Sequence, residues 1–225
     1  MRKYYKFEID TMFANILCLV ITIIACVPFF IIRKSIDFNI DYKTFGLFFL
    51  LYLFWMLLHE ALHGIGHILC GVSYKDLSYG ANLEKGVLFC LVRKEVSKKD
   101  ILISLIFPFF FIGIVTYIIG FMIDSPLLIF LSIFNIGGAS MDLTMFIQFI
   151  KLGNDITYIE PGDGTSFYVM SNNNIDKLIG LKKKEEGEYN SEMFLNRNNK
   201  VFDITKTSSI LLGILLVCCL ILIFL

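Results

Sequence analysis

The sequence predicts an all-α polytopic membrane protein of about five transmembrane helices, with small cytosolic β-hairpin elements. Three observations predict it. Of 225 residues, 56% are hydrophobic and 23 are Phe, and they gather in unbroken blocks where a soluble domain would interleave polar residues. Five blocks are near or above the ~20 residues that carry a helix across a bilayer. Finally, Lys and Arg alternate between loops. Segments 1–10, 71–100 and 151–206 hold 17 of them, against 3 in 33–44 and the turn near Asp124. Cytoplasmic loops carry the basic excess, so the expected placement is a cell membrane, multi-pass, with the N-terminus in the cytosol and the C-terminus outside. Formal net charge is zero, so the balance of charge says nothing about nucleic acid or acidic partners, and no nucleic-acid partner is expected. The expected partner is the lipid bilayer; oligomeric state is not readable.

The elements follow in order. After the basic start "MRKYYK", the first span is Thr11 to Ile32. "IIAC" ending at Cys26 has the look of a processing site, but the apolar run continues through "VPFFII", so an uncleaved helix is expected. The second span is Phe45 to Cys70. "DLSYGANLEKGVLFCLV" then reads as two short strands around a turn, and "EVSKKD" offers Ser97 as a cap for the third span, Ile101 to Ile123. "DSP" is a tight link to the fourth, Pro126 to Ile150. In the cytosolic loop 151–206, "ITYIE", "PGDG" and "TSFYVM" read as strand, turn and strand. The Asn- and charge-rich stretch that follows reads as a solvated face, mobile for part of its length. A fifth span, Thr207 to Leu225, ends the chain. The six cysteines lie in spans or on the reducing side and form no disulfide framework. No internal repeat is visible, so residues 1–225 read as one membrane-embedded domain.

Of forty Asp, Glu, Lys and Arg residues, only Glu60 and Asp142 fall inside the spans. Ionisable groups at that depth mark function by default. All three histidines join them in "HEALHGIGH", residues 59–67. His59, Glu60 and His63 form H-E-x-x-H, whose imidazoles, four residues apart on one helix face, can hold Zn2+ while the glutamate acts as general base. Chance produces this order in such a composition at roughly 0.2%. The bland alternative is a set of polar residues joining helices by hydrogen bonds.

A catalytic zinc takes a third protein ligand. His67 is eight residues from His59, about 12 Å along a straight helix, so it is read as a group behind the ligands or on the substrate. Asp142 lies at His63's depth, each about 10 to 12 Å from the cytosolic end of its span, and is the preferred ligand. Gly64, Gly66 and "NIGGAS" (135–140) supply small residues that let helices approach. Asn135 either holds a substrate backbone or bonds a neighbouring helix.

"HEALHG" in a membrane helix, followed by an Asp in a later helix after "NIGGASM", resembles the intramembrane zinc metalloproteases of the site-2 type. More closely, "FPF" in the third span and the late "DGTSFYVM" are similar to a bacterial family of zincin peptidases. The resemblance covers most of residues 45–170. It implies a zinc metalloendopeptidase with Glu60 as catalytic base, His59, His63 and Asp142 as ligands, and a membrane-anchored protein or peptide as substrate. The sequence departs from site-2 proteases in lacking Asn-x-x-Pro ahead of an Asp-Gly pair, and no PDZ-like domain is present. Strands in 77–92 or 156–170 could pair with an unwound substrate or simply support the cytosolic face. Two other classes stay open: a polytopic metal transporter, and a catalytically silent scaffold or immunity-type protein.

Overall fold

The computed structural model describes residues 2–32, 42–82, 87–162, 164–190 and 202–203. The chain opens with strand β1 (Lys3–Ile9), then helices α1 (Thr11–Ile32) and α2 (Tyr42–Leu69). Strands β2 (Leu77–Asn82), β3 (Val87–Val92) and β4 (Val96–Ser97) follow. Helix α3 (Lys98–Pro108) runs through a π-helical segment (Phe109–Val115) into α4 (Thr116–Met122). Then come α5 (Pro126–Gly138), α6 (Ser140–Lys151), β5 (Thr157–Ile159), β6 (Ser166–Ser171), β7 (Leu181–Glu188) and β8 (Phe202–Asp203).

The all-α, five-span expectation is corrected. The strands form two antiparallel sheets, one ordered β4-β5-β6-β1-β7 and the other β3-β2-β8. Among the described residues, three stretches are long and apolar enough to cross a membrane: Thr11–Ile32, Tyr42–Leu69 and Lys98–Met122. Pro126–Gly138 and Ser140–Lys151 qualify only as a pair bent by 49°, which makes up to four. The break has a local cause. Gly137 and Gly138 hold a helix weakly, and Ala139 leaves helical geometry with ψ 7°. The expected span 207–225 lies outside the described residues, as does part of the turn expected between β2 and β3.

The "basic start" is an interior strand of the larger sheet, between β6 and β7. Tyr5 and Phe7 of β1 are fully buried, alternating with Tyr4 and Lys6 on the other face, the period of two that a strand imposes. Its register pairs Tyr5 with Val169 and Phe7 with Phe167 on β6. The stretch expected to be mobile contributes β7, an exposed edge strand with no apolar alternation. Opposite charge selects its pairing instead: Lys184 reaches Glu8 at 3.0 Å, Lys182 reaches Asp10 at 2.9 Å, and the Tyr4 hydroxyl donates to Glu185 at 2.7 Å. The expected hairpins are present, β2 with β3 and β5 with β6, and the Ser97 hydroxyl caps α3 by accepting from the Asp100 N–H.

The main core lies where the larger sheet meets the helix ends. Phe7, Phe167 and Val169 pack with Phe149 and Met145 of α6 and Ile101 and Leu105 of α3. A second cluster joins α1 to α5 through Phe29, Ile129 and Ile133. Away from these contacts α1 is apolar and exposed, as at Ile16, Ile23, Ile24 and Ile31, the surface a bilayer would cover.

Candidate metal centre

Helix α2 puts His59 and His63 one turn apart on one face, with ring centroids 4.8 Å apart. Their Nε2 atoms are 3.1 Å apart. Asp142, in the first turn of α6 just past the bend, places Oδ2 3.2 Å from His59 Nε2 and 3.6 Å from His63 Nε2. The structure thus brings together the three residues that the sequence reading proposed as ligands.

The other ring nitrogens are engaged. His59 Nδ1–H donates to Asn135 Oδ1 at 2.9 Å, and His63 Nδ1–H donates to the Ser104 carbonyl at 2.9 Å. Both acceptors lack a proton, which fixes the tautomers and leaves both Nε2 atoms as lone-pair donors. Two lone pairs and a carboxylate oxygen at these separations repel unless a proton or a metal ion sits among them. A tetrahedral zinc with ~2.1 Å bonds separates its ligand atoms by about 3.4 Å, and the three observed edges bracket that value. The donor set fits the ion.

Both anchoring bonds trace to Pro108. In an α-helix the N–H of residue 108 would bond the Ser104 carbonyl; proline has no N–H, and the His63 imidazole takes the vacated acceptor. The Pro108 carbonyl, where the helix widens into its π-helical segment, accepts Asn135 Nδ2–H at 3.3 Å. That bond orients the amide so that Oδ1 faces His59. The Ser104 hydroxyl donates to the His63 carbonyl at 3.1 Å, and a Cβ on Gly66 would fall 2.8 Å from Ser104 Cα. Only glycine lets α2 and α3 come this close.

Glu60 brings a carboxylate oxygen within 4.8 Å of the two imidazole donors. Glu60 and Asp142, whose Oδ2 stands 3.2 and 3.6 Å from the two Nε2 atoms, are the two carboxylates that could complete the ligand set. All four residues line a cavity of about 330 Å³ that also reaches β3 and β6. Strand β3 ends its sheet, so one edge has no partner among the described strands, and Leu88, Phe89 and Cys90 line the cavity. A Cβ on Gly64 would collide with the Tyr79 hydroxyl, so glycine there seats the β2–β3 hairpin against the metal helix. Burial, together with the Glu60 and Glu160 charges, pushes the Cys90 thiol well above its usual range. It lines the cavity as a neutral group, not as a competing thiolate.

His67 is not in the triangle. It is buried, and its Nδ1–H donates to Asp100 Oδ1 at 2.5 Å. Sequence reasoning missed Asp100, which was counted with the loop, and Ser104, which acts through its backbone and leaves no side-chain signal. The phenylalanines around Pro108 were noticed, but not the hydrogen bond that Pro108 removes.

Fold and site together define a chain of membrane-length helices that bears two histidines and two carboxylates able to hold a metal ion. Residues 52–157, which hold every member of that group, match the family described as "putative zincin peptidase". No curated protein and no solved structure matches the chain. The broader likeness to site-2 proteases rests on motif order alone.

Proposed function

We propose that this protein is an intramembrane zinc metalloprotease that hydrolyses a peptide bond of a membrane-anchored protein or peptide near the cytosolic face. The observation that carries the reading is the triangle of His59 Nε2, His63 Nε2 and Asp142 Oδ2, with edges of 3.1, 3.2 and 3.6 Å. These residues would hold Zn2+, which supplies a water of pKa about 7 and a polarised scissile carbonyl. Glu60 takes the proton of the attacking water on its carboxylate and returns it to the leaving amine nitrogen. Asn135 and the Ser104 carbonyl keep both imidazoles aimed throughout. A helical substrate hides its carbonyls, so it must unwind locally. The open edge of β3 offers backbone N–H and C=O groups to the extended segment.

The sheet arrangement supports the cytosolic placement. β1, β4, β5, β6 and β7 share one sheet, so their segments lie on one side of any bilayer that the helices cross. These are the segments rich in Lys and Arg, the mark of a cytoplasmic face.

The test is metal-dependent hydrolysis by the purified full-length chain. One zinc per chain is expected, with cleavage of a membrane-anchored reporter that chelation abolishes and added zinc restores. Zinc flux into vesicles without hydrolysis would indicate a transporter. A chain that binds little zinc and cleaves nothing would be a scaffold.

A further inference from the structure

A second, smaller cavity meets the metal centre from the side of the membrane core. It has a volume of about 190 Å³ and is walled by Tyr52, Trp55, Met56 and Phe134. His59, Glu60 and Gly138, with Val87 and Leu88 of β3, border both this cavity and the larger one. The proposed base and one ring of the triangle therefore stand at the junction of two spaces. The larger mixes apolar walls such as Leu105 and Met141 with Asn15, Thr165 and Ser166; the smaller is aromatic and apolar apart from the junction and Asn135.

The walls of the smaller cavity are held in place. Trp55, the one tryptophan of the chain, donates its Nε1–H to the Ile112 carbonyl at 3.3 Å, within the π-helical segment. Tyr52 and Phe134 meet edge-to-face with centroids 5.6 Å apart, and Phe48 packs on both. The space is of the order that takes one large side chain, since an apolar cavity of ~150 Å³ holds a benzene. An acidic side chain would lose its hydration there and face the Glu60 carboxylate. At Gly138, the last residue of α5, a Cβ would meet nothing within 4 Å. Glycine there keeps the passage between the cavities clear.

We propose that this cavity is a specificity pocket for one large apolar side chain, of the Phe, Leu or Met class, next to the scissile bond on its membrane side. This inference rests on the peptidase reading. A segment paired along β3 presents alternate side chains to one face. With its carbonyl at the triangle, the neighbouring side chain on the core side is the one that reaches Trp55 and Phe134. The enzyme then cleaves beside a large apolar residue, with that side chain seated and the continuing chain in the larger cavity.

The experiment maps the bond cleaved in a membrane-anchored reporter, then varies the residue on its membrane side among Phe, Leu, Ala and Asp. Full-length wild-type protein is compared with Gly138→Leu and Phe134→Ala. The wild type should cleave the Phe and Leu reporters at least about tenfold faster than Ala, with Asp slowest, the scale on which an apolar pocket discriminates. Gly138→Leu, whose side chain grows into open space, should erase that preference while the Ala reporter is still cleaved. Phe134→Ala should shift preference towards the larger side chains. Equal cleavage of all four reporters by the wild type, or an unchanged preference in Gly138→Leu, overturns the pocket. If no reporter is cleaved, binding of the same four peptides to zinc-loaded Glu60→Gln protein separates the two readings. A retained Phe and Leu preference upholds the pocket while the peptidase reading falls, and equal binding sinks both.

Discussion

Pro108 is forty-five residues from His63 and twenty-seven from Asn135, yet it governs both imidazoles by withholding one N–H and offering one C=O. Pro108→Ala returns a donor to the Ser104 carbonyl, in competition with His63. Zinc affinity should fall about tenfold while the helix itself gains stability, since alanine suits a helix better; a chelator-competition titration reads it, and unchanged affinity would contradict the assignment. Asn135→Ala removes the acceptor that orients His59 and should cost 10- to 100-fold in zinc affinity, on the scale of about 10²-fold at most for such partners. His67→Ala should keep stoichiometric zinc but lose about 3–5 kcal/mol of stability, because Asp100 is left buried and unpaired. Adding Asp100→Asn should recover part of that loss, whereas loss of zinc in His67→Ala would make His67 a ligand. At this scale the sequence was informative about side chains that titrate. Five residues stood out because ionisable groups are scarce in apolar spans. Ser104 and Pro108 did not, because their part is played by backbone atoms.

Among elements, the approach of α2 to α3 is the most demanding contact, because Gly66 abuts Ser104 Cα. Gly66→Val should destabilise the chain by about 1–3 kcal/mol through overpacking and weaken zinc binding by displacing the Ser104 carbonyl, which thermal unfolding and zinc titration follow together. Acid should loosen the end of β6. The Asn172 N–H donates to Asp155 Oδ2 at 2.6 Å and the Ser171 hydroxyl at 3.1 Å, and these bonds hold the Asp155 carboxyl below its ordinary value. A depressed carboxyl contributes its stability above the unfolded value of 3.8 and loses it as pH falls through the folded one. The contribution is no more than about 1 kcal/mol, since the group is partly in solvent. Limited proteolysis of segment 152–175 should therefore quicken below pH ~4 in wild type and show no such step in Asp155→Asn. The hairpins were legible because turn residues punctuate them. β7 was not, because its pairing depends on charges presented by β1, and β1 was hidden by its own lysines. The bend at Ala139 was likewise invisible to a count of apolar residues, although "GGAS" carries its cause.

For the whole molecule, membrane association was legible from composition, whereas the share of chain given to sheet was not, since segments far apart in sequence build it: β1 from the start, β4 from the middle, β5 to β7 from the long loop. A tag beside Asn173, which is exposed, should be reachable only from the cytosol; labelling from outside intact cells would invert the orientation and put the centre at the wrong face. In the proposed mechanism Asp142 holds the metal while Glu60 moves the proton. Zinc content and cleavage of a membrane-anchored reporter should be measured side by side in wild type, Glu60→Gln and Asp142→Ala. Glu60→Gln should retain zinc and lose cleavage by at least about 10²-fold, as removal of a general base does. Asp142→Ala should lose both, because two histidines of one helix hold the ion poorly. Full zinc in Asp142→Ala, or cleavage at the wild-type rate by Glu60→Gln, would contradict the account.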